Sequence, residues 1–131
     1  MKVFVVILNF NGKDFTLDCL TSLQDIKKLP DAEVSLIVVD NASSDGSLEQ
    51  ISSFAEASKD EKNGKIKIIE NKQNLGFAEG NNVGIRYALK NGADYVMLLN
   101  PDTIVDKDLL VSGESRFRSA ESDPQIGIVG P

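Results

Sequence analysis

The sequence predicts an α/β fold, an open and mostly parallel sheet with helices on both faces. Three observations predict it. Short apolar runs recur at 3–8, 34–39, 66–69, 95–99 and 126–129. Segments whose apolar residues recur at helical spacing lie between them. The runs are apolar almost throughout, where a strand with one wet face would alternate with polar residues.

The first run, Val3 to Leu8, is continuous, largely β-branched and broken by Asn11-Gly12. Its length is near that of a signal-peptide core. Polar Asn9, Asn11 and Gly12 follow at once with no small-residue cleavage site, so a buried strand is the better reading. Phe15, Cys19, Leu23 and Ile26 then mark a helix face that ends before Pro30. Val34 to Val39 is the second strand, stopped by Asp40-Asn41. Ser43, Ser44 and Asp45 offer caps for a helix whose stripe is Leu48, Ile51 and Phe54.

The polar segment Ala57 to Lys65 reads as a surface loop, and Ile66, Ile68 and Ile69 as a third strand. Ala78, Asn82, Ile85 and Leu89 predict a helix capped by Asn91-Gly92. Tyr95 to Leu99 is the fourth strand, ended by Asn100-Pro101. Leu109, Leu110 and Phe117 suggest another helix, and Ile126 to Val129 a fifth strand. No repeat or linker interrupts the chain, so 1–131 reads as one domain. Its last residues, Gly127 to Pro131, read as an end inside a structural element.

Composition narrows the function. A net charge of −6 with no basic run argues against a nucleic-acid partner, which needs clustered Lys and Arg. The absence of histidine excludes Ser-His and Cys-His catalysis and His-ligated zinc within this chain. Cys19 is the only cysteine, which rules out an internal disulfide and suggests a reducing, cytoplasmic setting. In phase with apolar neighbours, it reads as a core residue. No segment approaches the roughly 20 apolar residues that span a bilayer.

In an open parallel sheet, ligands bind beyond the carboxyl ends of the strands. Those ends read Asn9-Phe10-Asn11-Gly12, Asp40-Asn41-Ala42-Ser43-Ser44-Asp45, Asn74 to Asn82, and Asn100-Pro101-Asp102-Thr103. Each cluster has a plain structural reading. Asn-Gly is a turn signal, Asp40 and Asp45 could cap a helix, Gly76 and Gly80 could mark close packing, and Asp102 could sit in a turn. Four such clusters on one rim favour a site. Neither G-x-x-x-x-G-K-[ST] nor G-x-G-x-x-G is present, although Asp40 would suit a ribose. The remaining way to hold a diphosphate is a carboxylate-bound hard cation, and Asp102 is placed for that.

The blocks Val-Ile-Leu-Asn-Phe-Asn-Gly, Val-Val-Asp-Asn-Ala-Ser-Ser-Asp-Gly-Ser, Asn-Leu-Gly-Phe-Ala-Glu-Gly-Asn-Asn-Val-Gly-Ile and Leu-Leu-Asn-Pro-Asp-Thr stand in this order. Together they resemble family 2 glycosyltransferases over residues 2–131. The resemblance implies a glycosyltransferase A fold, here C-terminally truncated, that takes a nucleoside-diphosphate sugar and transfers it with inversion. It places Leu8 and Asn9 at the nucleotide, Asp40 as acceptor of a hydrogen bond from the base, and Gly76 and Asn81 near the donor. Asp102 matches the last acid of the D-x-D metal motif, with Mg²⁺ or Mn²⁺ as cofactor. Asn100 stands where that motif begins with Asp, a spelling similar to the rhamnosyltransferase-like branch. Asn11, Asn41, Phe77 and Asn100 complete the expected nucleotide-sugar site.

A carboxylate only accepts, so Asp40 favours the imide of UDP or dTDP. The resemblance also implies a glycan or lipid-linked acceptor, cell-surface polysaccharide or glycan synthesis, and work in the cytoplasm, with peripheral attachment at the inner face of the membrane as an option. It puts the general base and acceptor groove beyond Pro131, which predicts that 1–131 alone is inactive and self-associates through its last strand. Two other readings compete: a non-catalytic nucleotide-binding module, and a Rossmann-type dinucleotide domain disfavoured by its missing glycines.

Overall fold

A computed structural model describes residues 1–27, 30–58 and 66–112. The chain alternates strand and helix as β1 (Lys2–Asn9), α1 (Lys13–Gln24), β2 (Glu33–Asp40), α2 (Ser47–Ala57), β3 (Ile66–Glu70), α3 (Gly76–Lys90), β4 (Tyr95–Leu99) and a short α4 (Leu109–Ser112). The strands form one sheet in the order β3-β2-β1-β4. Every pairing is parallel, and Asn9 at the end of β1 lies in register with Asp40 at the end of β2. The expected fifth strand, Phe117 and most of the loop before β3 lie outside the described residues.

The two-residue period of a strand sends alternate side chains to opposite faces. On one face Val3, Val5 and Ile7 join Leu36, Val38, Met97 and Leu99 beneath Cys19, Leu20, Leu23 and Ile51 of α1 and α2. On the other face Phe4, Val6, Ile37, Val39 and Val96 pack with Ala88 of α3. Both faces are covered, which is why the strands read as continuous apolar runs. Cys19 is fully buried as expected, and burial, followed by the charge of Asp102, raises its thiol to about 11. It is an inert core group.

Two helix faces differ from the sequence reading. In α1 the buried stripe is Thr16, Cys19, Leu20 and Leu23, and Phe15 is 64% exposed. Adjacent helical residues point about 100° apart, and the face that buries Thr16, Cys19, Leu20 and Leu23 leaves Phe15 at its outer side. Thr16 is drawn in by its hydroxyl, which donates to Asn9 Oδ1 at 2.6 Å. In α3 the buried residues are Gly80, Asn81, Gly84 and Ala88, whereas Leu89 is 61% exposed. The fully buried positions are small residues or Asn81; of the predicted stripe, Ile85 packs partly buried against the core and Leu89 does not.

The reason is distance. A Cβ on Gly84 would fall 2.5 Å from Val6 Cγ1, and one on Gly80 would fall 2.7 Å from Leu8 Cδ1. Helix α3 therefore lies closer to the sheet than side chains at these positions would permit. Its C-terminus is closed by Gly92 in the left-handed region at φ 83, with Ala93 N–H donating to Ala88 O at 3.0 Å and Gly92 N–H to Leu89 O at 3.2 Å. That is the Schellman arrangement anticipated from Asn91-Gly92. At α2 the N-cap is Gly46, and no capping side-chain bond forms there. Asp45 contributes one residue earlier, accepting the Ser47 N–H at 2.9 Å.

Gly84→Ala should overpack the α3–sheet contact against stiff, β-branched Val6 and cost about 1–3 kcal/mol. Thermal denaturation checks this, and an unchanged melting temperature would contradict the close approach.

Candidate functional site

The order β3-β2-β1-β4 reverses direction at β1, because the chain builds outward to β3 and then returns to add β4 on the other side. Loops leaving β1 and β4 diverge there, and the sheet leaves a crevice. A cavity of about 360 Å³ opens at this point. Of the expected residues, Leu8, Asn41, Gly76, Phe77, Asn81 and Asn100 line it. Phe10, Asn74, Leu98, Leu99 and Pro101 also line it, and sequence reasoning missed them as site residues. Their position at or beyond the ends of β1, β3 and β4 was the available signal. Every lining residue is uncharged.

Asn9, Asn11, Asp40 and Asp102 do not line the cavity. Three of them fasten its surroundings. Asn9 is fully buried, and its Nδ2 donates to Asp40 Oδ1 at 2.8 Å and to Ser43 Oγ at 3.1 Å. Asp40, 1% exposed, also accepts the Ser43 hydroxyl at 2.7 Å and the Ser43 N–H at 3.1 Å. The Asn11 N–H donates to Ser43 Oγ at 2.9 Å, and Asn11 Oδ1 accepts the Ser44 N–H at 2.8 Å. These bonds tie the loop after β1 to the loop after β2.

They also hold two non-glycine residues in the left-handed region, Asn11 at φ 49 and Ala42 at φ 65. Alanine has no side-chain polar group to favour that conformation, so Ala42 is kept there by the bonds around it. Asp45 closes the outer edge. The Ser47 hydroxyl is the first cause holding its carboxyl below the ordinary range, followed by N–H groups of Ser47 and Lys13. Asp40 does not line the cavity, and its carboxylate accepts three hydrogen bonds within the protein.

Asn41 performs a comparable task toward β3 and α3. It is 2% exposed, and its Oδ1 accepts Asn71 Nδ2 at 3.1 Å and the Leu75 N–H at 3.0 Å. Its Nδ2 donates to Asn74 Oδ1 at 3.0 Å and Gly76 O at 3.1 Å. All four hydrogen-bonding positions of the amide are filled. Asn41 therefore shapes the cavity wall by fixing 71–76.

Asp102 lies in a turn closed by the Thr103 N–H donating to Asn100 O at 3.1 Å, with Pro101 at the position such turns favour. The residue is exposed, and its carboxylate accepts no hydrogen bond from the described residues. The following segment turns back onto α1 through Val105 N–H to Ser22 Oγ at 3.1 Å and Lys27 N–H to Lys107 O at 2.7 Å. Among the described residues no group of three or more His, Cys, Asp or Glu could enclose a metal.

A parallel sheet with a cavity at its switch point, and beside it a carboxylate without a hydrogen-bond partner among the described residues, defines an open α/β domain. The glycosyl transferase family 2 model matches residues 4–119, and the chain belongs to that family. It is 28% identical over 130 residues to the Bacillus subtilis (strain 168) glycosyltransferase YfnE, covering 99% of this chain and 30% of that protein. It is 30% identical over 120 residues to the poly-beta-1,6-N-acetyl-D-glucosamine synthase of Staphylococcus aureus (strain MSSA476), covering 92% and 26%. The chain spans less than a third of the length of these curated relatives.

Among solved structures, S. aureus TarS 1–349 in complex with UDP-GlcNAc superposes with a TM-score of 0.73 at 21% identity, over 92% of this chain and 32% of that one. The Pyrobaculum calidifontis mannosyltransferase PcManGT, in complex with GDP-Man and Mn²⁺, gives 0.75 at 21% identity, over 86% and 31%. The expected glycosyltransferase architecture is borne out by these likenesses. With the family shown, the Rossmann-type dehydrogenase reading falls away.

Replacing Asp40 by Ala should strand the buried Asn9 amide and the Ser43 N–H and cost about 1–3 kcal/mol for the lost buried bonds. Chemical denaturation of the variant measures this. A stability equal to wild type would show that the bonds joining the two loops carry no weight.

Proposed function

We propose that this domain binds a nucleoside-diphosphate sugar, with the base in the switch-point cavity and the diphosphate outside it near Asp102. The observation that carries the reading is the division of charge. The cavity is lined only by apolar and amide groups, which suit a planar base, while the Asp102 carboxylate, without a hydrogen-bond partner among the described residues, stands just beyond Pro101. The neighbours bound to UDP-GlcNAc and GDP-Man support a nucleotide-sugar ligand, and the Mn²⁺ in the second supports a divalent cation.

Asp102 fits a hard cation that takes a single carboxylate from the protein and completes its shell with phosphate and water oxygens. Asn100 offers a neutral amide oxygen on the same turn. Mg²⁺ or Mn²⁺ bound there would neutralise the diphosphate, a task that no Lys or Arg lining the cavity could perform. This chain's own residues shape the base pocket through Leu8, Phe10 and Phe77 and fix its walls through Asn9, Asp40 and Asn41.

The parent enzyme, in this reading, transfers the sugar to a glycan or lipid-linked hydroxyl with inversion, in cell-surface polysaccharide or glycan synthesis. UDP or dTDP is favoured as the nucleotide. Inversion requires a general base to take the acceptor's proton as its oxygen attacks the anomeric carbon. We assign that role to no described residue. The rhamnosyltransferase-like branch rests on Asn100-Pro101-Asp102 alone. Among the described residues no helix is long and apolar enough to cross a membrane. The buried free thiol of Cys19 suits a reducing, cytoplasmic setting.

Asp102→Ala should abolish the Mn²⁺-dependent part of UDP binding and leave the melting temperature near wild type, because the carboxylate has no described partner to lose. Calorimetry with UDP, dTDP and GDP, each with and without Mn²⁺, checks it. Metal-dependent binding that survives the substitution would remove Asp102 from the site. Phe10, 50% exposed at the cavity edge, is placed to stack on the base. Phe10→Ala should weaken UDP about tenfold or more, the worth of one aromatic–base contact. Undiminished affinity would place the base elsewhere.

A further inference from the structure

A second cavity, of about 220 Å³, opens at the other end of the sheet, between the start of the strands and the last turns of α3. Helix α3 packs on β1, β2 and β4, whereas none of the five residues of β3 is buried. The face that α3 covers is therefore open on its β3 side. Strand register sets what lines the opening. Phe4 lies opposite Ser35, and Ile37 opposite Lys67. Phe4 and Ile37 belong to the core beneath α3 and form an apolar floor. Lys2, Ser35 and Lys67 stand two residues before Phe4, Ile37 and Ile69 on the same face, where the floor ends.

Both lysines are drawn toward α3. Lys67 Nζ lies over the Tyr87 ring, 5.6 Å from its centroid, a cation–π arrangement that restrains the ammonium. Lys2 Nζ is 3.8 Å from where a Cβ on Gly92 would lie. Neither lysine has an ion-pair partner among the described residues. Two carboxylates are close to Lys2 in the fold: Glu33 is its register partner, and Asp94 accepts its backbone N–H at 2.7 Å. Neither lines the cavity. In a chain of net charge −6, the described lining carries two positive charges and no negative one. Like charges facing one concave space raise the local potential and attract an anion.

We propose that this cavity is a second ligand site that takes a small, soluble phosphate monoester. The phosphate lies between Lys2 and Lys67 with the Ser35 hydroxyl as a further donor, and the organic part rests on Phe4 and Ile37. Charge selects the class. A phosphate monoester carries about −1.5 to −2 at pH 7 and so matches two ammonium groups, whereas a carboxylate leaves one unmet. The site needs no metal and does not depend on the nucleotide reading of the switch-point cavity.

The test titrates the ¹⁵N-labelled chain, without metal, with phenyl phosphate, inorganic phosphate and benzoate. Phenyl phosphate should saturably shift the backbone amides of Lys2, Ser35 and Lys67. It should bind more tightly than inorganic phosphate, which has nothing to set on the floor, and than singly charged benzoate. Lys2→Gln and Lys67→Gln should each weaken it about fivefold, the upper end for an exposed ion pair. Both side chains are exposed, so the variants should fold. Lys72→Gln removes the same charge from an exposed lysine off the lining and should leave the affinity unchanged.

Absence of saturable shifts, or shifts centred on other residues, overturns the site. Equal weakening by all three variants also overturns it, since that marks attraction by net charge alone. Benzoate binding as tightly as phenyl phosphate would defeat the choice of a phosphate. A Lys2→Gln variant that loses thermal stability but keeps its affinity would assign that lysine to the end of α3 and remove the paired charge on which the proposal stands.

Discussion

Asn9 and Asp40 end neighbouring parallel strands in register, and their side chains meet at 2.8 Å where the sheet gives way to loops. Past that point backbone pairing no longer specifies where the chain goes. A buried amide and a buried carboxylate take over, and Ser43 and Thr16 complete their hydrogen bonding. Satisfied in this way, buried polar groups specify one arrangement, because each alternative leaves a donor or acceptor unpaired away from water. The left-handed Ala42, the seating of Asn11 and the entry into α1 all depend on this junction. Asn41, next in the chain, extends the same control to the start of α3.

The cavity follows from these constraints. It is bounded by β1 and β4 where the strand order reverses, and by α3 where two glycines let the helix settle onto the sheet. Its neutrality is a property of the amide-rich loops. They supply enough hydrogen bonding to hold the backbone in place without importing charge. Asp102 stands outside it on its own turn, so the neutral pocket and the external carboxylate are separate features of the rim.

The strands were readable in advance because both faces of the sheet are covered, so Val3 to Leu8 and Tyr95 to Leu99 could not be anything but apolar. The helix faces were less so. An apolar count gives glycine no weight, and α3 turns Gly80 and Gly84 inward while leaving Leu89 in solvent. In α1, Thr16 displaced Phe15 through one hydrogen bond to a residue seven positions earlier, which helical periodicity does not encode. The rim was readable as a place, but its internal hydrogen bonding was not: sequence position does not say that Asp40 meets Asn9 and Ser43, since that depends on how the loops after β1 and β2 fold back on each other. Phe10 was passed over for the opposite reason, as an aromatic among polar residues that looked like part of a strand end.

Gly80 gives the fold a mechanical property. The missing Cβ leaves α3 in reach of Leu8 on one side and of Asn41 Nδ2 on the other, at 2.7 Å and 3.1 Å from where that carbon would be. The helix backbone at Gly80 thus stands directly against two residues of the cavity wall, so a shift of α3 at this point is felt first by the Leu8 methyls and the Asn41 amide.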